Sequence, residues 1–338
     1  MSSISAGAST EWDDFVRQQA GHTAFHRMAW LETVRDSLGH DVFALAARDD
    51  SGRLSGVLPL ANVSSRLFGN FLVSVPFASY GGPLGEPWAC RALVDDAIRL
   101  ATSRNCQLLE LRGRIALPVE LPVSHRKITV TLNVDGGSEA VFKRFDSKLR
   151  SQIRRSEREG ISVRFGAHLI GDFYSVFARH MRDLGTPALG AGFFRALVAG
   201  FGADLEVAVA YLNEKPVAGA VGFRWAEEFE ITWASSLLEY KKIAPNMALY
   251  WRLIEHVADS GARVFNFGRC SAGSNTHRFK RQWGGSDEPL YWYQWSTTGD
   301  SRSTPAPGGA FALAEAVWRK LPLGISSWVG PHISRLLP

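Results

Sequence analysis

The sequence repeats one order of helices and strands, and the second copy follows the first at an offset of about 160 residues. Each copy has two helices, a strand, a turn, two more strands, a loop, a helix and a last strand. The first copy predicts helices at 11–20, 28–38 and 88–103 and strands at 42–47, 54–61, 70–75 and 108–112. The second predicts helices at 173–184, 193–201 and 247–260 and strands at 205–211, 217–225, 229–235 and 264–267.

The repeat predicts an α+β fold with two similar domains, each built around a mixed central sheet. A chain of 338 residues has room for two domains of roughly 150 residues each. We expect a first domain at 1–140, a second domain with the active site at 141–299, and a linker with an amphipathic tail at 300–338.

The composition is that of a soluble globular protein, with 46% hydrophobic and 21% charged residues. No apolar run approaches about 18 residues, and the N-terminus lacks the basic and apolar segments of a signal peptide. We therefore expect a cytoplasmic protein. Its three cysteines are widely spaced and its histidines show no ligand spacing, so we expect no metal site.

Positive charge is concentrated in one segment, residues 143–158, which holds seven basic residues against two acidic ones. The whole chain has a net charge of +5, so the rest of it is close to neutral. One basic helix on a neutral body indicates either a solvated face or a local anionic partner. For a ligand-facing role we favour Lys148 and Arg155, directed at the phosphates of tRNA or of a lipid pyrophosphate.

A second segment of interest, residues 263–285, begins with an apolar strand that we expect to end at Gly268. Beyond this glycine the sequence is rich in hydroxyls and cations, which suits an anionic or carbonyl-bearing ligand. A solvated basic loop is the alternative. The spacing of Gly268 and Gly273 matches a phosphate loop, but Ser274 and Asn275 replace its Lys and Ser or Thr, which argues against a nucleotide site of that type.

The order of elements in each copy resembles the acetyltransferase fold of the GNAT type. In that fold, a loop after the central strand leads into a helix whose N-terminus holds the pyrophosphate of an acyl carrier. The matching loops here are 81–86 and 241–247. Only the second has cations, Lys241 and Lys242, ahead of Asn246, which we interpret as the helix N-cap. Plain strand-to-helix connections are the alternative for both loops.

Five segments together resemble the FemAB-like proteins, and more narrowly the FemAB-type proteins associated with the PEP-CTERM/exosortase (XrtA) system: residues 25–60, 148–158, 179–187, 239–251 and 265–285. The resemblance covers nearly the whole chain. It implies transfer of an activated acyl or aminoacyl group to an amine on a cell-envelope or exopolysaccharide precursor. Acyl-CoA or aminoacyl-tRNA would be the co-substrate, with no tightly bound cofactor.

The sequence departs from that FemAB-type branch at three positions. Asn266, Cys270 and His277 stand where the branch usually has Asp, Ser and Tyr. The missing carboxylate at Asn266 argues against an acid or base role there. The Phe279-Lys280 and Trp283-Gly284 pairs are kept.

The candidate catalytic residues are Lys280, Arg269, Asp183 and Glu230. The resemblance places Lys280 at the Lys of the Fem motif, and Arg269 is positioned to anchor a phosphate or carboxylate. Asp183 and Glu230 are the candidate proton acceptors. Cys270 is rejected as a nucleophile because no motif ties a histidine to it. For each candidate a structural or surface role is the alternative.

The remaining candidates are binding residues. Those expected to contact the acyl carrier are Lys241, Lys242, Asn246 and Met247. Those expected to contact the substrate are Lys148, Arg155, Arg182, Thr186, Ser271, Ser274, Arg278 and Trp283.

The tail beyond residue 300 alternates apolar side chains with Arg319, Lys320 and Arg335. It predicts either peripheral contact with the inner membrane or docking on the body of the protein, and Pro322 and Pro331 favour docking by breaking the helix. A catalytically inactive tandem module that binds a polysaccharide-assembly or protein-sorting partner is the alternative function. RNA binding as the sole function is less favoured, because aromatic platforms are missing from the basic segment, and we expect no DNA partner.

Overall fold

The computed structural model describes residues 6–66, 68–297 and 309–337. The chain divides into two compact units. Of the described residues, the first unit holds 6–127, 289–297 and 335–337, and the second unit holds 128–288 and 309–334. Residues 128–140, expected in the first domain, therefore lie in the second unit, and so do most of the described residues of the tail.

The helices and strands follow the predicted order with several additions. As far as residue 133 they are α1 (Ala6–Gln18), α2 (Met28–Leu38), β1 (Asp41–Arg48), β2 (Leu54–Ser65), β3 (Gly69–Val73), β4 (Leu84–Gly85), α3 (Pro87–Ser103), β5 (Leu108–Gly113), β6 (Val123–Ser124) and β7 (Lys127–Asn133). Beyond it are α4 (Gly137–Arg144), α5 (Ser147–Arg158), β8 (Ile161–Phe165), α6 (Ile170–Leu184), α7 (Ala191–Phe201), β9 (Leu205–Leu212), β10 (Lys215–Trp225), β11 (Glu228–Ser236), α8 (Pro245–Asp259), β12 (Val264–Ser271), α9 (Asn275–Arg281), β13 (Ser286–Pro289), β14 (Tyr291–Ser296), α10 (Gly309–Lys320) and α11 (Leu323–Ser334).

The sheet of the first unit has the strand order β1-β2-β3-β5-β14-β6, with β4 paired to β2. Strands β1, β2 and β3 are antiparallel, and β5 joins β3 in parallel after the crossover through α3. Because β14 pairs antiparallel with β5, a strand from late in the sequence completes this sheet.

The sheet of the second unit has the order β13-β7-β12-β11-β10-β9-β8. It repeats the plan of the first: β9, β10 and β11 are antiparallel, and β12 joins β11 in parallel after α8. Here β7, which precedes the whole second copy, lies beside β12. The two mixed sheets confirm the predicted α+β tandem fold.

Helices cover both faces of the second sheet. Ala218 and Ala220 of β10 pack in one core cluster with the residues of α8. A Cβ atom on Gly219, between them, would lie 3.1 Å from Phe173 of α6. Because successive residues of a strand point to opposite faces, α8 and α6 lie on opposite sides of the sheet.

The tail helices dock on the second unit, where both contact α6. Arg182 of α6 donates to the Leu321 carbonyl at 3.3 Å, and Ser334 donates to the Ala188 carbonyl at 3.0 Å. The sequence left docking and membrane contact open, and the structure shows docking. In the described part of the chain, no helix is long and apolar enough to cross a membrane.

Strand β14 is tied to the first unit by a buried side chain, which gives a test of its structural role. The Leu117 N–H donates to the Tyr293 hydroxyl at 2.8 Å, and Tyr293 is 5% exposed. In Tyr293→Phe this buried N–H loses its acceptor, so we expect the free energy of unfolding of the first unit to fall by about 1–3 kcal/mol. Hydrogen exchange of the β5 amides in increasing urea measures it.

The matched control is Tyr291→Phe on the same strand, since the Tyr291 hydroxyl has no hydrogen bond to the described residues. We expect it to change the free energy of unfolding by less than about 0.5 kcal/mol. Equal effects of the two substitutions would contradict the assigned hydrogen bond.

Candidate active site

The parallel strands β11 and β12 are paired over a short distance only. Their register has three residue pairs, Glu228 with Val264, Phe229 with Phe265 and Glu230 with Asn266. Both strands continue beyond Glu230 and Asn266, to Ser236 and Ser271, without further pairing to each other. The sheet therefore opens between its central strands beyond these residues.

Gly268 and Asn266 hold this opening. Gly268 has φ +69°, and a Cβ atom there would lie 2.4 Å from the Ile231 carbonyl oxygen. Only glycine fits this backbone. The fully buried Asn266 accepts from the Gly268 N–H at 2.8 Å and from the Thr129 hydroxyl at 2.5 Å, and it donates to Glu228 at 2.8 Å. Asn266 thus fixes the bend, and β12 does not end at Gly268 as expected.

A short helix brings Lys280 back to the bend. Helix α9 begins after Ser274, whose hydroxyl accepts from the His277 N–H at 3.1 Å. The His277 ring accepts from the Gly273 N–H at Nδ1, which leaves its proton on Nε2, 3.0 Å from Asp287. No helix was predicted after β12, and these caps explain why the segment is helical.

Lys280 is 5% exposed, and its ammonium donates to the carbonyls of Gly268, at 2.6 Å, and Arg269, at 2.8 Å. Glu230, also 5% exposed, has its Oε1 3.9 Å from the position of a Cβ on Gly268. Burial lowers the pKa of Lys280 to about 8, although Cys270 and Glu230 act in the opposite direction. The structure thus brings Lys280, Glu230 and the half-buried Arg269 together at the opening.

One further polar side chain lies at the opening and was not predicted from the sequence. Thr232 follows Glu230 by two residues, in the unpaired part of β11, next to a register shift opposite Val221 and Gly222. Its hydroxyl is buried and has no hydrogen-bond partner among the described residues. No sequence signal marks it, because a threonine in a strand is ordinary.

Among the described residues, Asp183 makes no hydrogen bond or ion pair to Lys280, Glu230 or Arg269. Asp183 accepts from Arg182 Nε at 2.7 Å, and Arg182 also holds the tail through Leu321. The Thr186 N–H, beyond the end of α6, donates to the Met181 carbonyl, while the Thr186 side chain is exposed. These contacts hold the end of α6 and attach the tail to it.

The start of α8 differs from the expectation. The N-cap is Ala244, with φ +51°, and Pro245 is the first helical residue, so Asn246 is not the cap. Met247 is buried, and its N–H donates to the Ala244 carbonyl at 2.9 Å. The first turn therefore offers few free N–H groups, because proline has none and that of Met247 is engaged. The two lysines ahead of it, Lys241 and Lys242, are exposed.

Helix α5 presents the concentrated positive charge. Asp146 caps it, accepting from the Leu149 N–H at 2.7 Å, and Leu149 and Ile153 are buried. The outer side of the helix faces solvent and carries Ser147, Arg150, Ser151, Arg154, Glu157 and Arg158. Lys148 and Arg155, favoured from the sequence, are exposed but are not among these residues.

The other substrate-binding candidates have mixed positions. Ser274 is the cap described above, and the Ser271 carbonyl accepts from its N–H at 3.2 Å. Arg278 is exposed on α9 and bonds to Asn275. Trp283 is fully buried, with its ring 5.7 Å from that of Phe145, so its place is in the core.

The first unit has the same short parallel pairing, and its opening is filled. Strands β3 and β5 pair over three residues, ending at Val73 and Glu110. Beyond them Arg112 N–H donates to the Ser74 hydroxyl at 2.8 Å, and the Gly81 N–H donates to the Arg112 carbonyl at 2.8 Å. The loop after β3 thus occupies the place that stays unpaired in the second unit.

Comparison with known proteins agrees with this geometry. Residues 143–281 match the family described as the acetyltransferase (GNAT) domain. A search of curated protein sequences finds no match. Among solved structures, the chain resembles FemX with a TM-score of 0.64 and 14% identity, over 84% of this chain and 95% of that one.

Two further structures share the fold. L-PGS from Bacillus licheniformis has a TM-score of 0.57 and 15% identity, covering 92% of this chain and 97% of that one. A tandem GNAT protein from the clavulanic acid biosynthesis pathway has a TM-score of 0.55 and 11% identity, covering 89% and 98%. The chain therefore contains a segment, residues 143–281, that matches the GNAT acetyltransferase family, within a fold of two GNAT-like units.

Proposed function

We propose that this protein transfers an aminoacyl group from aminoacyl-tRNA to an amine on a cell-envelope or exopolysaccharide precursor, at the opening between β11 and β12. The observation that carries the proposal is the buried Lys280, held by two backbone carbonyls beside Glu230 where the strands separate. The match to an acyltransferase family and the fold shared with FemX and L-PGS support it.

The reaction needs a group that accepts a proton and a positive charge near the carbonyl oxygen. The acceptor amine attacks the ester carbonyl, an amide bond forms, and the bond to the tRNA ribose oxygen breaks. Glu230 accepts the proton that the amine loses and passes it to the departing ribose oxygen, which leaves as a hydroxyl. The carbonyl oxygen becomes negative in the transition state, and Lys280, with two N–H bonds given to carbonyls, has a third for that oxygen.

The start of α8 favours aminoacyl-tRNA over acyl-CoA as the donor. A pyrophosphate at a helix N-terminus needs free N–H groups, and Pro245 and the engaged Met247 N–H remove two of them. The arginines along the outer side of α5 offer cations for a nucleic-acid backbone instead. Acyl-CoA stays the second candidate because the matched family is one of acetyltransferases.

The identity of the acceptor is the most specific part of the proposal, and it rests on the FemAB-like resemblance. That resemblance implies an amine in envelope or exopolysaccharide assembly, in a system of the PEP-CTERM/exosortase type. A reaction with a small-molecule extract of envelope precursors tests it. The purified chain is supplied with tRNA charged with labelled amino acids or with labelled acetyl-CoA, and mass spectrometry identifies the amide formed.

Aminoacylated amine as the product supports the proposal. If only acetylated amine forms, the donor is acetyl-CoA and not aminoacyl-tRNA, while the reaction is still acyl transfer to an amine. Absence of any product, together with no change in melting temperature on adding either donor, would favour the inactive tandem module.

Replacing Lys280 tests its role in the reaction. We expect Lys280→Met, which keeps the apolar stem but removes the charge, to lower the transfer rate about 100- to 1000-fold, as removal of an oxyanion donor does. Steady-state rates on the identified donor and acceptor measure it. The control is Lys215→Met, a substitution of an exposed lysine at the start of β10. A wild-type rate in Lys280→Met would exclude Lys280 from the chemistry.

The lowered pKa of Lys280 predicts a pH-dependent stability. Between about pH 8 and pH 10.5 the unfolded chain binds more protons at this lysine than the folded protein does. The wild-type free energy of unfolding should therefore rise with pH in this window relative to that of Lys280→Met. Below about pH 8 the difference should be constant, since Lys280 is protonated in both states. Urea unfolding at a series of pH values measures it, and parallel curves would contradict the assigned pKa.

The arginines on the outer side of α5 predict salt-dependent RNA binding. We expect Arg154→Gln with Arg158→Gln to weaken binding of aminoacyl-tRNA and to reduce the slope of log affinity against log salt by about 1 per arginine. Fluorescence anisotropy over a range of salt concentrations measures both. The control is Arg126→Gln, an exposed arginine of the first unit. An unchanged slope in the double variant would place the RNA elsewhere.

A further inference from the structure

The last helix of the chain, α11, packs against the protein with its small residues and not with its large apolar ones. Ser326, Gly330 and Ser334 recur at intervals of four and are buried. On its other side Ile325 is 49% exposed and Trp328 is 74% exposed. A helix that docks for its own stability normally buries its large apolar side chains. In α11 the small residues are buried instead, and the large side chains of Ile325 and Trp328 are exposed.

The contacts on the buried side are close and largely polar. Ser334 donates to the Ala188 carbonyl at 3.0 Å, and a Cβ on Gly330 would lie 3.2 Å from the Ala188 nitrogen. Arg319 donates to the Leu184 carbonyl at 3.3 Å from α10. Pro331 also packs on this side, since a Cβ on Gly190 would lie 3.2 Å from its ring. Ile325 and Trp328 take no part in these contacts and stay available to a partner.

The preceding helix, α10, also exposes apolar side chains on one side. Leu313 is 67% exposed and Val317, one turn later, is 55% exposed. We call the set Leu313, Val317, Ile325 and Trp328 the tail apolar face. Large apolar side chains exposed on two successive helices mark an interaction surface more often than chance exposure does.

The charge next to the tail apolar face identifies the kind of partner. Between residues 313 and 334 the only acidic residue is Glu315, and it pairs with Arg319 at 3.3 Å. Lys320 and Arg319 are both exposed where α10 ends. Exposed tryptophan and aliphatic side chains beside lysine and arginine are the composition of helices that lie in the headgroup region of an anionic bilayer.

We propose that the tail apolar face binds the surface of an anionic lipid bilayer, with α10 and α11 lying on it and Trp328 inserted at headgroup depth. Each of these helices has 12 residues, which is too short to span a bilayer, so the contact is peripheral. The inference is independent of the transfer reaction, because none of its residues belongs to the opening between β11 and β12.

Flotation of the full chain with lipid vesicles tests the proposal. We expect binding to vesicles of phosphatidylcholine with phosphatidylglycerol and much weaker binding to phosphatidylcholine alone. Trp328→Ser should lower the partition coefficient roughly tenfold or more, since it removes one large inserted side chain. Trp88→Ser, which changes a 45% exposed tryptophan of the first unit, should leave it unchanged. Lys320→Gln should weaken binding to the anionic vesicles only.

Several outcomes would overturn the proposal. These are failure to float with anionic vesicles, equal effects of Trp328→Ser and Trp88→Ser, or equal binding to neutral and anionic vesicles. Light scattering adds a further check, because a dimer that dissociates in Trp328→Ser without any vesicle binding would make a second copy of the chain the partner. Unchanged thermal unfolding of Trp328→Ser ensures that the loss is one of binding and not of folding.

Discussion

The hydrogen bond from the Gly268 N–H to Asn266 is the interaction on which the second unit depends. It holds β12 in a left-handed bend at the residue where pairing with β11 has just stopped. The bend presents two successive carbonyls to one side, and these carbonyls receive the Lys280 ammonium. A regular strand at this point would stay paired with β11 and leave no place for a buried cation.

Strands from distant parts of the sequence complete both sheets. β7 precedes the second copy and lies beside β12, while β14 follows the second copy and lies beside β5. In each sheet the parallel strand after the crossover is therefore covered on its outer side. An uncovered strand there would leave a row of free N–H and carbonyl groups. The two halves of the sequence are consequently not the two halves of the structure.

The sequence predicted the repeated elements well because their periodicity reflects local burial. The strand predicted at 217–225 and the helix predicted at 28–38 agree with β10 and α2 nearly to the residue. It did not predict β7 and β14 in their sheets, since nothing local encodes pairing between residues more than a hundred positions apart.

Two errors at the candidate site had signals in the sequence. Pro245 ahead of Asn246 is typical of the first helical position, which moves the cap to Ala244. Ser274 before a run of basic residues is a helix start, but no helix was predicted there. The bend at Gly268 was anticipated as a stop because glycine marks both a strand end and a bulge.

The two copies show what distinguishes an opening suited to chemistry from a closed one. In the first unit the charged pair is internal to one strand: Arg112 donates to Glu110 at 2.8 Å and to the Ala78 carbonyl at 3.3 Å, and Gln294 donates to Glu110 at 2.9 Å. Such a buried pair is held by its own neighbours.

In the second unit the cation arrives on a separate helix, α9, and the carboxylate stays on β11. Lys280 is held by carbonyl oxygens, which fix its position without neutralising its charge. The positive charge therefore remains available to a ligand, and burial keeps the pKa of the ammonium lowered. A cation anchored in this way is costly to bury. The free-energy cost of burying the charge is offset where the charge is needed for binding or transfer. The opening in the second unit, and not the one in the first unit, is therefore the candidate active site.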